Sequence, residues 1–326
     1  MATPKTILQI INQAQSELGL VQSTSVVGNT SDLSSQQFLS LLNSAGEEIR
    51  DYAEDGWRNM AVEFNLVVTT PITNTTGNLT QNSPVITNIS PNTTGIVAQT
   101  FMVAGTSIPT AARVISVDSP SQVTMSMEAT AAATATALVF SQDTYSLPSD
   151  YKTTTNRSWW DRTNRWELLG PDSPQMDQWH RSGIVVTGPR RHFREIGRSV
   201  PTQVRIWPQP SEIVNPLQLV FEYQSTDWIM INGVSTATSA AITSDTDTSF
   251  LDDRALIKWL KWMRQQAKGF AYDVLRNDAI DFTDTLIARD GAAPTLNMVK
   301  RVHPIFISPA NVQDGFFPGP VGPNTG

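Results

Sequence analysis

Leu79–Phe140 reads LTQNSPVITNISPNTTGIVAQTFMVAGTSIPTAARVISVDSPSQVTMSMEATAAATATALVF. The stretch contains only three charged residues, Arg113, Asp118 and Glu128, and is dominated by Thr, Ser, Ala and Val. Short apolar runs (VITNI, TFMVAG, RVISV, QVTMSM and TALVF) recur between Asn, Pro, Gly and Ser turns. Short strands punctuated in this way predict a small antiparallel sandwich or barrel. Ahead of it, AVEFNLVVTT at Ala61–Thr70 alternates and is β-branched, so it reads as a strand. The strands on either side read as continuing into each other once the stretch is removed. Residues 79–140 are therefore read as a β-sandwich-like domain inserted, on a two-stranded stalk, into a body formed by 1–78 and 141–290.

Outward from the insert, the body reads as helical. After Thr3 and Pro4, which suit a cap and a first helical position, Ile7, Ile11, Ala14 and Leu18 share one face. A polar loop follows between Gly19 and Gly28. Ser34 and Ser35 are placed to cap a second helix, whose apolar stripe is Phe38, Leu41, Leu42, Ala45, Ile49 and Tyr52. Glu47, Glu48, Arg50, Asp51 and Glu54 occupy its other face. Farther on, Asp252 and Asp253 cap a long helix over 252–289. Leu256, Leu260, Met263, Ala267, Phe270 and Val274 form its stripe, widened by Trp259 and Trp262. The fold class expected is α+β: a helical bundle with β-hairpin or sheet elements, an inserted small all-β domain and an extended C-terminal arm at 291–326. That arm is rich in Pro and Gly yet holds Ile305, Phe306, Ile307, Phe316 and Phe317, so it suits an extended segment lying across another surface.

Composition narrows the function classes. The chain has 326 residues, 23 Lys and Arg against 30 Asp and Glu, and no cysteine. A disulfide scaffold, a thiolate zinc site and a cysteine nucleophile are excluded. His180, His192 and His303 are far apart in sequence, which argues against a histidine metal centre. The net charge of −7 argues against a nucleic-acid binder that works by bulk charge. No run approaches the ~20 apolar residues that cross a bilayer, and the start lacks the pattern of a secretory leader.

No GxGxxG after a strand, GxxxxGK[ST], HExxH or GxSxG occurs, and no acid–base pair can be placed in a pocket. Asp245, Asp247, Asp252 and Asp253 invite a calcium reading, but the glycine turn and terminal Glu of an EF-hand are absent. A solvated loop followed by a helix cap accounts for them. The expectation is no catalytic residue, no cofactor and no metal.

The segment from 145 to 232 stands apart. Six of the nine tryptophans lie in it, and residues 151–210 carry ten Lys and Arg against five Asp and Glu. VRIWPQP and LQLVFEYQS read as strands of a hairpin, and DSPQMDQWHRS as a short helix. Most of the tryptophans read as core covered by arginine stems. Arg190, Arg191 and Arg194, with Phe193, leave two readings open, intramolecular salt bridges or an intersubunit contact, with DNA a weaker third.

Several stretches in this segment resemble head-to-tail adaptor (connector) proteins of short-tailed, podovirus-type bacteriophages. They are LPSDY at Leu147–Tyr151, WDRTNRWELLGPDSPQMDQW at Trp160–Trp179, GPRRHFREIG at Gly188–Gly197, RIWPQP at Arg205–Pro210 and FEYQSTDW at Phe221–Trp228. The segment 79–140 is similar to a small β module that recurs in phage virion proteins. The resemblance implies a ring, usually of twelve copies, at the head–tail junction of the virion, assembled in the host cytoplasm. Its partners would be other copies of itself, the portal protein, tail nozzle or fibre proteins, and genomic DNA passing without sequence recognition; no membrane is implied. Helices at 5–18, 35–55 and 252–289 would form the ring body, and the tail would dock by Phe306, Phe316 and Phe317. Glu47, Glu48, Asp51, Glu54 and Asp55 would face the channel, where negative charge lets DNA slide. No catalytic residue is carried over. The alternatives are another tail component, such as a nozzle subunit richer in β-structure, or a receptor- or carbohydrate-binding protein using the insert. The insert holds no Trp or Tyr for sugar stacking.

Overall fold

A computed structural model of the chain describes residues 4–54, 56–155, 157–182, 190–197, 201–211 and 217–290. Seventeen β-strands and five α-helices occupy them, with the strands in four antiparallel sheets. The fold is mostly β, which overturns the expected helical bundle with a small β insert. The reason is physical. A helix repeats its apolar stripe over 15 or 20 residues, as in α2 (Leu33–Tyr52) and α4 (Asp253–Ala267) below. Several strands are only two residues long and carry no alternation to read.

Four helices form one layer. α1 (Ile7–Glu17) starts at a capping box in which Thr6, rather than Thr3, accepts from the Gln9 amide. α2 is capped by Asp32, upstream of the serines expected to do so. α4 is capped by Asp252, which accepts from the amides of Arg254 and Ala255. The single helix expected over 252–289 is two. α4 ends at Ala267, Gly269 takes φ +74°, and α5 follows after a gap. Phe270, at the break, is 63% exposed, and Val274, in the next helix, is 82% exposed, so the stripe stops at Ala267.

Buried between these helices are Ile7, Ile10 and Ile11, then Phe38, Leu42 and Ile49, and Leu256, Trp259 and Leu260. Trp228 completes this core; its indole lies where a Cβ on Gly46 would stand at 2.3 Å, so α2 needs a glycine there.

The strands of the body are β1 (Ala61–Val67), β8 (Thr144–Ser146), β9 (Tyr151–Thr154), β10 (Trp160–Asp161), β11 (Trp166–Glu167), β12 (His192–Ile196), β13 (Gln203–Trp207) and β14 (Gln218–Ser225). One sheet runs β1-β14-β10-β11 with β9 also on β14; a second runs β12-β13-β8. Trp159 joins them, stacked 3.9 Å from the Phe221 ring of the first sheet and 4.5 Å from Phe193 of the second. A small third sheet, β15 (Ile229–Met230) between β16 (Thr238–Ser239) and β17 (Thr248–Ser249), leads into α4.

Between β1 and β8 lies the fourth sheet, in the order β4-β7-β2-β3-β6-β5. Its strands are β2 (Ile72–Leu79), β3 (Val85–Ser90), β4 (Phe101–Gly105), β5 (Val114–Ser119), β6 (Gln122–Met125) and β7 (Ala133–Gln142). It has its own core, including Ile86, Val103, Val123, Leu138 and Phe140. β1 and β8 pair in different sheets, so the flanking strands do not continue into each other.

Candidate functional site

The charged residues of the Trp- and Arg-rich segment converge on one face of the β12–β13 pair. Side chains alternate along a strand, and register partners share a face. His192 and Arg194 on β12 therefore lie opposite Trp207 and Arg205 on β13, while Phe193 points into the aromatic core. α3 (Pro174–Arg181) packs against that face. Its cap is Ser173, which accepts from the Met176 amide, with Pro174 in the first turn. Asp177, His180 and Arg181 are at i, i+3 and i+4, hence on one side of the helix.

Asp177 is buried and receives three guanidinium groups: Arg181 Nε at 2.7 Å, Arg194 Nη1 at 3.0 Å and Arg205 Nη1 at 3.5 Å. Burial works against its charge, but the hydrogen bond and charge of Arg181, helped by Arg194 and Arg205, hold its carboxyl below the usual range. Asp143, at the end of β7 and fully buried, binds Arg181 Nη1 at 3.0 Å and also pairs with Arg113 of the six-stranded sheet. Arg113 in turn donates to the Gln99 carbonyl, and Arg181 lies 4.9 Å over the Trp207 ring. Four arginines thus face two buried aspartates. Arg181 Nη2, Arg205 Nε and Trp207 Nε1 are buried without a hydrogen bond. Burial, then the neighbouring Arg113 and Arg181, pull the Arg205 guanidinium below its ordinary value. The cluster fastens the six-stranded sheet to α3 and β13, and an uncompensated charge there would be costly.

Beside it lies a second group. Asp172 sits between β11 and α3, where Leu169 bridges His192 and the Asp172 amide donates to the Phe193 carbonyl at 2.8 Å. Gly170 permits that approach, because a Cβ there would stand 2.5 Å from the Phe193 carbonyl oxygen. The Asp172 carboxylate is 3.3 Å from His192 Nδ1 and 3.7 Å from His180 Nε2, and the two imidazole rings are 4.3 Å apart. Burial, and then the neighbouring His192, lower the His180 pKa, against the pull of Asp172 and Asp177. The sequence separation of these histidines had argued against a shared centre. The β12 register and the last turn of α3 bring two of the three together.

Of the expected contact arginines, Arg194 is committed to Asp177, Arg191 donates to the Pro208 carbonyl at 2.7 Å, and Arg190 is exposed. Glu47 and Glu48 are exposed on α2. Asp51 is exposed but paired with Arg50 and Lys152, which hold it at about 2, and Glu54 is exposed past the helix end. Phe306, Phe316, Phe317 and Asp55 lie outside the described residues. The four aspartates of the calcium reading are occupied by protein donors. Asp245 accepts from the amides of Val26 and Val27, Asp247 from Asn232, Thr243 and Ser244, and Asp253 from the Lys5 amide, while Asp252 caps α4. Asp247 is fully buried, so the expected solvated loop is instead a brace. Among the described residues, no helix is long and apolar enough to cross a membrane.

No protein-family model matches the chain, and no curated protein matches it either.

Proposed function

We propose that the chain is a structural subunit of a short-tailed bacteriophage virion, an adaptor whose copies close a ring between portal and tail nozzle. The resemblance over 147–228 supplies the role. The observation that carries it is the outer surface of the helical layer, where acidic and uncovered apolar side chains occur together. α5 (Asp273–Asp290) buries only Ala279 and Thr283, and exposes Asp273, Asp281 and Asp284 along with Val274. It adjoins the acidic end of α2: Arg276 acts on Glu48, and Asp284, after burial, contributes to the raised pKa of Tyr52. Glu47, Glu48, Asp51, Tyr52 and Trp259 line a shallow depression of about 490 Å³ there. Leu33 at 80% and Val67 at 83% exposure add apolar surface elsewhere on the chain. Uncovered apolar surface favours association with further copies or partners, and an acidic lining would not retain DNA.

A nozzle subunit is the second reading, and the predominance of strands favours it. Electron microscopy of the purified protein, alone and mixed with the portal of the same phage, separates the two. A ring seated directly on the portal is the expected result. A ring that joins only a portal already carrying another adaptor makes the chain a nozzle subunit. Absence of the polypeptide from purified virions, read by mass spectrometry, overturns both readings.

A further inference from the structure

We propose that Asp172, His180 and His192 form a binding site for a divalent first-row transition cation of the zinc class. The inference is independent of the adaptor reading. Its first support is geometric: one donor atom from each residue lies within 4.8 Å of the others. Ligands at ~2.0–2.2 Å from a zinc-class ion stand roughly 3–4 Å apart, so closure needs only small side-chain movements. The second support is the state of His180. It is 6% exposed, and neither Nδ1 nor Nε2 makes a hydrogen bond. A buried imidazole with both nitrogens unmatched lacks a partner, and a cation on Nε2 supplies one.

The donor set decides the chemistry. Two imidazole nitrogens and one carboxylate suit zinc, cobalt, nickel or iron(II), whereas magnesium and calcium prefer oxygen throughout. Three protein ligands leave further positions to water. His192 and Asp172 have side-chain exposures of 19% and 12%, which gives the ion a route in. Its effect is mechanical: it ties the last turn of α3 and the Asp172 segment to the first residue of β12, beside the arginine cluster that holds the six-stranded sheet.

The full chain, stripped with a chelator, is titrated with Zn²⁺ by calorimetry and with Co²⁺ by visible absorption. One equivalent is expected to bind, with Co²⁺ giving ligand-field bands of nitrogen–oxygen coordination. His192→Gln and Asp172→Asn should weaken binding roughly tenfold or more, while His303→Ala leaves it unchanged. Long-range proton–nitrogen spectra of the unsubstituted protein give a reading that does not depend on variants folding. Zn²⁺ should shift ring nitrogens of His180 and His192 and leave those of His303 in place. Unmoved His180 and His192 nitrogens, binding as tight in the two ligand variants as in the parent, or loss of binding in His303→Ala would each overturn the site.

Discussion

Asp247 has no exposed surface, yet its carboxylate collects the amides of Asn232, Thr243 and Ser244 and the Thr243 hydroxyl within 3.0 Å. Burial opposes the charge, but these donors prevail and hold its pKa below the ordinary carboxylate value. Asp247→Asn would turn an NH₂ toward backbone N–H groups and should cost roughly 3 kcal/mol, read as a lower urea midpoint. The sign with pH follows from the lowered folded value. The unfolded carboxyl takes up its proton first, so this stabilisation is complete above ~4 and is lost as pH falls through the folded pKa. Melting temperatures measured from pH 5 downward should fall less steeply in Asp247→Asn than in the parent. Gly46 makes a steric case of the same kind. In Gly46→Ala the new methyl meets the Trp228 indole at 2.3 Å, and overpacking of this sort costs about 1–3 kcal/mol. An unchanged midpoint in Gly46→Ala would show that Trp228 is free to move aside.

Elements differ in how much of themselves they declare. Ile7, Ile11 and Ala14, and Phe38, Leu42, Ala45 and Ile49, fall at helical spacing and are all buried, so α1 and α2 are legible from their stripes. The α4–α5 break is not, because Phe270 and Val274 continue the spacing past Gly269 while the chain turns away. Trp160–Asp161 and Trp166–Glu167 form strands only because β14 offers an edge, which no local pattern encodes. The site fails to show for a related reason. His180 and His192 meet through the register of β12 and the docking of α3, both long-range facts. The alternative of intramolecular ion pairs for the arginines was readable, and Arg194 takes it. The junction of elements at Asp143 gives the prediction at this scale. Removing the carboxylate in Asp143→Ala leaves Arg113 and Arg181 facing each other in a buried place, at a cost of about 3–5 kcal/mol. Limited proteolysis should then cut first near β7 and β8, where the six-stranded sheet joins the body. Proteolysis that stays uniform, with an unchanged melting temperature, would mean that the cluster does not hold the junction.

At the scale of the molecule, charge is distributed against composition. The chain carries −7 overall, while the Trp- and Arg-rich segment concentrates its positive charge in a cluster that is largely turned inward on Asp143 and Asp177. What α2 and α5 present outward is acidic: Glu47, Glu48, Asp273, Asp281 and Asp284 are exposed. A channel wall of that kind repels phosphate, whereas each lysine placed there would release counterions on contact with DNA and steepen the salt dependence of binding. Glu47→Lys, Asp281→Lys and Asp284→Lys combined should therefore leave the melting temperature near that of the parent, since none of the three has an ion-pair partner among the described residues. The triple variant should bind duplex DNA at low salt with an affinity that falls as salt rises, where the parent shows no binding under the same conditions. In assembled particles it should slow genome release without preventing ring closure. Salt-dependent DNA binding by the parent, abolished by Arg190→Ala, would place the basic segment on the channel and refute the acidic wall.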